Sequence, residues 1–167
     1  MSRQELLEAI RKNPVEDTPR LMYADYLDEI GTTDLDRATV EFIRLSCDLK
    51  SGGRKRSDMM PRSVYQWLPA NKYRLIPSVV ALSLTPEEKP RGSLGGYVRG
   101  RYFHSYIRVA DHGRKNLQRL FALTLEFHRG FVVDVTYCCG TLWKEIRSAL
   151  VADQPLCERP GNIYHGD

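Results

Sequence analysis

LTLEFHRGFVVDVTY, residues 123–137, reads as two strand-like runs on either side of Arg129-Gly130. In the second run Val133, Val135 and Tyr137 fall on one face, because side chains along a strand alternate. TLWKEIRSAL (141–150) follows with helical spacing. Leu142, Ile146, Ala149 and Leu150 form its stripe, and Thr141 is placed to cap it. A strand, a short turn and a helix therefore succeed one another within residues 131–150. The tail from Gln154 shows no strong pattern.

Upstream, YVRGRYFHSYIRVAD (97–111) also alternates. Tyr102, His104, Tyr106 and Arg108 take one face, and Phe103, Ser105, Ile107 and Val109 the other. IPSVVALSL (76–84) favours a short strand, and residues 63–75 a helix or irregular turn holding Trp67 and Tyr73. TPEEKPRGSLGG (85–96) is rich in proline, glycine and charge, which predicts a long exposed loop.

The first 50 residues carry a different period. Leu6, Ala9 and Ile10 stripe a helix over 2–12, which Asn13-Pro14 ends. DTPRLMYADYLDEIG (17–31) predicts a second helix, with Thr18 as N-cap, Pro19 at the first helical position and Gly31 as a left-handed C-cap. Tyr23, Tyr26, Leu27 and Ile30 line one face. Ala38, Phe42, Leu45 and Leu49 stripe a third helix over 35–49. Short connections favour antiparallel packing of the three.

Charge divides the chain unevenly. The formal net charge is +4. Residues 1–50 carry net −4, residues 51–120 net +10, and residues 121–167 net −2. The basic middle suits an anionic partner or an acidic surface of the same or another chain. SGGRKRSD (51–58) is a flexible basic break. Arg54, Lys55 and Arg56, with Arg99, Arg101, Tyr102, Tyr106 and Arg108, form a candidate nucleic-acid surface, since arginines meet phosphates and aromatic faces stack on bases.

Signatures of catalysis are missing from the sequence. The four cysteines, Cys47, Cys138, Cys139 and Cys157, form no CxxC pair. No HExxH, GxSxG or GxxxxGK[ST] occurs. The acids of the second helix could make a carboxylate pair, Asp25 with Asp28 or Glu29. The preferred reading is structural: Asp25 bonds an arginine, with Arg20 and Arg44 nearby, or the N-terminus of the third helix, and Asp17, Arg20, Asp25 and Arg44 are structural polar residues.

Residues 4–47 resemble the bacterial repeat-companion domain, a helical module found N-terminal to leucine-rich repeats. The residues that carry the resemblance are Asp17, Pro19, Arg20, Tyr23, Ala24, Asp25, Tyr26, Leu27, Gly31, Glu41, Phe42, Ile43 and Arg44. HRGFVVDVT (128–136) is similar to the turn and strand with which such proteins enter their repeats. No tandem array follows here; one strand–helix unit, 131–150, remains. The resemblance transfers no catalytic residue.

The expectation is an α+β protein in three stretches: a helical repeat-companion-like module over 1–50, a basic linker over 51–62, and a small α+β region over 63–167. That last region holds a small β-sheet and ends in one leucine-rich-repeat-like strand–helix unit. The expected role is a non-catalytic interaction module or adaptor without cofactor or metal. It would engage another protein, or a second copy of itself, through a sheet edge or the 85–96 loop. DNA or RNA binding is the alternative. No apolar run reaches the ~18 residues of a membrane span, and no cleavable leader is legible. A cytoplasmic protein is therefore expected.

Overall fold

The computed structural model describes residues 1–47, 61–82, 97–99, 102–110, 118–137, 143–157 and 159–163. Three helices open the chain: α1 (Arg3–Lys12), α2 (Thr18–Ile30) and α3 (Asp34–Ser46). Each start has local chemistry behind it. Ser2 and Glu5 form a capping box on α1, and Thr33 and Asp36 form one on α3. α2 begins one residue earlier than its sequence suggests. Asp17 holds the cap position without a side-chain cap bond, and Thr18 is already helical.

Gly31 differs from expectation. Its backbone is extended, with φ −69° and ψ 132°, so left-handed freedom is not what selects glycine here. A Cβ would stand 2.3 Å from the Leu27 carbonyl oxygen and 2.8 Å from the Asp36 Cβ. The crowding comes first from the last turn of α2 itself and then from the start of α3. Ile30, placed on the apolar face by its spacing, is 56% exposed, while Tyr23, Ala24 and Leu27 are buried.

Two further helices follow, α4 (Arg62–Asn71) and α5 (Pro77–Leu82), joined by a 3-10 turn over Lys72–Leu75. Where the sequence favours a short strand over 76–84, Pro77–Leu82 is a helix. Pro77 opens it, where a missing N–H costs nothing. Asp153 then accepts from the Ser78 N–H and from Ser78 Oγ, each at 2.7 Å. A tertiary contact therefore overrides β-propensity. Burial pushes the Asp153 carboxyl up, against the pull of those hydrogen bonds.

The sheet has five strands in sequence order: β1 (Tyr97–Arg99), β2 (Tyr102–Ala110), β3 (Gln118–His128), β4 (Phe131–Tyr137) and β5 (Arg159–Ile163). β1 to β4 are antiparallel, and β5 pairs parallel to β4 across α6 (Trp143–Asp153). β5 lies in the tail that shows no pattern, because Arg-Pro-Gly-Asn is turn-like chemistry that only the edge of β4 holds extended. The fold is α+β. The expected loop over 85–96, Thr141 and Leu49 lie outside the described residues.

The two strand runs of residues 123–137 form a hairpin. Arg129 (φ 46°) and Gly130 (φ 93°) both have positive φ, and His128 pairs with Phe131 across them. That is the two-residue turn whose twist matches paired strands. Asp134 faces Glu126 while Val132 faces Phe127, so Val133 is an extra residue in β4.

Two apolar clusters result. One joins Ala38 and Phe42 of α3 to Val64 and Leu68 of α4, Val79 of α5, Leu125 and Phe127 of β3, Val132 of β4, and Ile146 and Leu150 of α6. The Phe42 ring stacks on Trp67 at 5.5 Å and meets Phe127 edge-on at 5.4 Å. The other joins Leu6, Leu7 and Ile10 of α1 with Tyr23, Leu27, Ile43 and Phe131. Helices and sheet thus share both cores.

Gly130 sits where the hairpin meets α3. A Cβ there would lie 2.6 Å from Ile43 Cα, on a backbone that side chains rarely adopt. Gly130→Ala should destabilise the chain by about 2–4 kcal/mol, combining strain and a forced shift of α3. Urea denaturation followed by far-ultraviolet circular dichroism measures it, and a change within ~0.5 kcal/mol refutes the seating of this turn.

Candidate functional site

One polar grouping lies where the hairpin turn enters the helical module. Positive φ at Arg129 and Gly130 projects the turn toward the start of α2. Arg129 Nη1 donates to the Val15 carbonyl at 2.5 Å and to Asp17 Oδ1 at 2.6 Å. Both side chains of this ion pair are under one-third exposed, so it is less screened than a surface pair. Phe131, the next residue, places its ring 5.9 Å from that of Tyr23.

Arg20 lies beneath this pair, 2% exposed. It donates to the carbonyls of Glu16 (2.7 Å) and Pro14 (2.9 Å), while its Nε finds no partner. The guanidinium therefore ties down the turn between α1 and α2. Burial lowers its pKa, with Cys47 and Asp17 pulling the other way. Cys47 is buried beside it, its thiol pushed up to about 12, first by burial and then by the Asp17 carboxylate it faces. Such a thiol is not a nucleophile at neutral pH.

A second grouping joins α3 to α4 and the 3-10 turn. Arg74 spans Asp34 (2.9 and 3.0 Å), Glu41 (3.2 and 3.3 Å) and Asn71 (2.9 Å). Trp67 Nε1 donates to Glu41 Oε2 at 2.8 Å. The Arg74 hydrogen bonds hold the Asp34 carboxyl below its usual range. Burial pushes Glu41 up, but Arg74 and Trp67 outweigh it and leave it lowered.

Arg44 reaches across from α3 to α2, 3.0 Å from Asp25 and 2.9 Å from Asp28. The three side chains are 46%, 69% and 58% exposed. Exposure of that degree limits the pairing to about 1 kcal/mol or less. The acid pair that spacing brings together on α2 is thus engaged by an arginine.

The sequence-derived residues are placed as follows. Asp17, Arg20, Asp25 and Arg44 all lie within the helical module, but in two separate groups: Asp17 with Arg20, and Asp25 with Arg44. Arg54, Lys55, Arg56 and Arg101 lie outside the described residues. Arg99 ends β1, and Tyr102, Tyr106 and Arg108 hold alternate places on β2. Pairing puts Arg99 beside Tyr102, and Tyr102, Tyr106 and Arg108 beside Glu126, Ala122 and Leu120 of β3. Among the described residues no three His, Cys, Asp or Glu side chains gather to hold a metal ion, and no helix is long and apolar enough to cross a membrane.

Three polar groups escaped the sequence. Arg74 and Gln154 belong to no motif; Gln154 accepts from the Val132 N–H at 3.2 Å and donates to the Leu75 carbonyl at 2.7 Å, fully buried. Arg129 carried one legible signal, its place before glycine between two alternating runs. No family model, curated protein or solved structure matches the chain.

Two outcomes are expected. Cys47 should resist alkylation at pH 8 in the native chain and react once unfolded, read by mass spectrometry of its peptide; native labelling at the unfolded rate refutes its placement. Asp34 and Glu41 have folded pKa values below their ordinary 3.8 and 4.5. Their contribution is therefore complete above those values and lost as pH falls through the folded ones. Arg74→Ala should flatten the fall of stability below about pH 5, measured as melting temperature against pH; an unchanged slope refutes the linkage.

Proposed function

We propose that this chain is a non-catalytic protein-interaction module, an adaptor in which a repeat-companion-like helical module is fused to a leucine-rich-repeat-like strand–helix unit. The observation that carries the reading is the β4–α6–β5 unit. Its parallel strands flank one helix, and the strand that begins it is anchored in the helical module by Arg129, Gly130 and Phe131. A parallel strand–helix unit of this kind buries its faces by stacking on neighbours. Five acids of the module are engaged by arginines: Asp17 by Arg129, Asp25 and Asp28 by Arg44, Asp34 and Glu41 by Arg74. Such an arrangement supports a rigid surface for another protein, met through a sheet edge or through residues 85–96.

A second reading, binding of DNA or RNA, draws on β2. Phe103 pairs with Leu125, which is buried, so Tyr102, His104, Tyr106 and Arg108 hold the positions of the opposite face. Aromatic and basic residues alternating on one sheet face suit single-stranded nucleic acid.

One experiment separates the two. The purified chain, immobilised, is exposed to host lysate with and without nuclease, and each captured protein is then titrated against it calorimetrically. The interaction reading expects saturable, nuclease-resistant binding. Loss of every partner on nuclease treatment, with labelled DNA or RNA binding that weakens by about 0.9 log unit per phosphate contact for each log unit of salt on duplex DNA, overturns it in favour of the second.

A further inference from the structure

The sheet ends in β5, whose sequence is Arg-Pro-Gly-Asn-Ile. Asp134 pairs with Arg159 and Val135 with Pro160. In a parallel ladder the N–H and C=O of one residue point to the same neighbouring strand, and successive residues alternate between neighbours. Proline has no N–H to give. The bonds around Val135 therefore run through the Arg159 carbonyl and the Gly161 N–H, and Pro160 takes the outward place. A strand approaching β5 from outside meets a carbonyl without the N–H donor it needs beside it. The register shift between Val135 and Tyr137 distorts the same edge further.

We propose that Pro160 closes the outer edge of β5 to strand addition and so keeps the chain from pairing edge to edge with a second copy. Unpaired backbone groups on an edge strand are a template for association, and an edge proline is one of the few ways to blunt it. Proline is tolerated here because its missing donor falls on the side away from β4, where no described strand pairs. The inference narrows the interaction reading, since it removes β5 from the edges a partner strand could join, but its test uses no partner.

Pro160→Val restores the N–H and adds a strand-forming side chain. Across a concentration series in sedimentation equilibrium, the unaltered chain should stay monomeric. The variant should shift reversibly to a dimer or larger, with slowed amide exchange over residues 159–163. A variant with unchanged circular dichroism and melting that stays monomeric overturns the proposal, as does association of the unaltered chain through these same amides. Should the valine variant fail to fold, Pro160→Ala restores the N–H alone and is read identically. Unfolding of both also overturns it, because an outward-facing residue is replaceable without loss of a ladder bond.

Discussion

The Arg129-Gly130 turn seated against α3 is the constraint on which the molecule depends. Gly130 lies so close to Ile43 that no side chain fits between them, and Arg129 closes the contact through Asp17 and the Val15 carbonyl. The Arg129 contacts span more than a hundred residues of chain, so the loop they close is costly in entropy. Apolar burial offsets that cost: Phe131 enters the α1–α2 core, while Phe127, on the other strand of the hairpin, meets Phe42. One turn thereby sets the position of the sheet against the helices from both sides.

Polar side chains then fix orientation where apolar contacts leave freedom. Apolar burial is non-directional, whereas a guanidinium fork holds its acceptors at fixed angles. Arg20 fastens the α1–α2 connection, Arg74 the α3–α4 junction, and Asp153 with Gln154 the contacts among α5, α6 and β4. Burial alone gives some of these groups unusual acid–base behaviour. Cys47 is raised because it is enclosed beside a carboxylate, and Asp153 because it is enclosed. Perturbed ionisation here accompanies packing, which is why it does not by itself mark chemistry.

The sheet divides its work between its two ends. β4 is the strand held by the helical module, and among the described strands β5 pairs with β4. A segment of proline, glycine and asparagine has little tendency to extend. Its strand conformation is supplied by β4 and by α6, which returns the chain to the correct edge. A strand made this way takes its conformation from the strand it pairs with.

Local chemistry made the three helices of the first 50 residues, the β2 alternation and the 123–137 hairpin legible, because period, proline placement and a glycine between alternating runs act over a few residues. The clustering of Asp25 and Asp28 on one face of α2 was legible for the same reason, while their shared partner Arg44 on α3 was one of several candidates. The α5 helix, the extended Gly31, the exposed Ile30 and strand β5 were not legible. Two of them are decided by partners distant in sequence, Asp153 for α5 and β4 for β5, and Gly31 by the packing of its own neighbours Leu27 and Asp36. The Arg129–Asp17 joint and the Arg74 fork were hidden likewise, for a side chain's partner across the fold leaves no periodic trace. The sequence by itself determined which segments could be helix or strand; the tertiary structure alone decided where the segments meet, because contact free energies depend on proximity that only the closed chain provides.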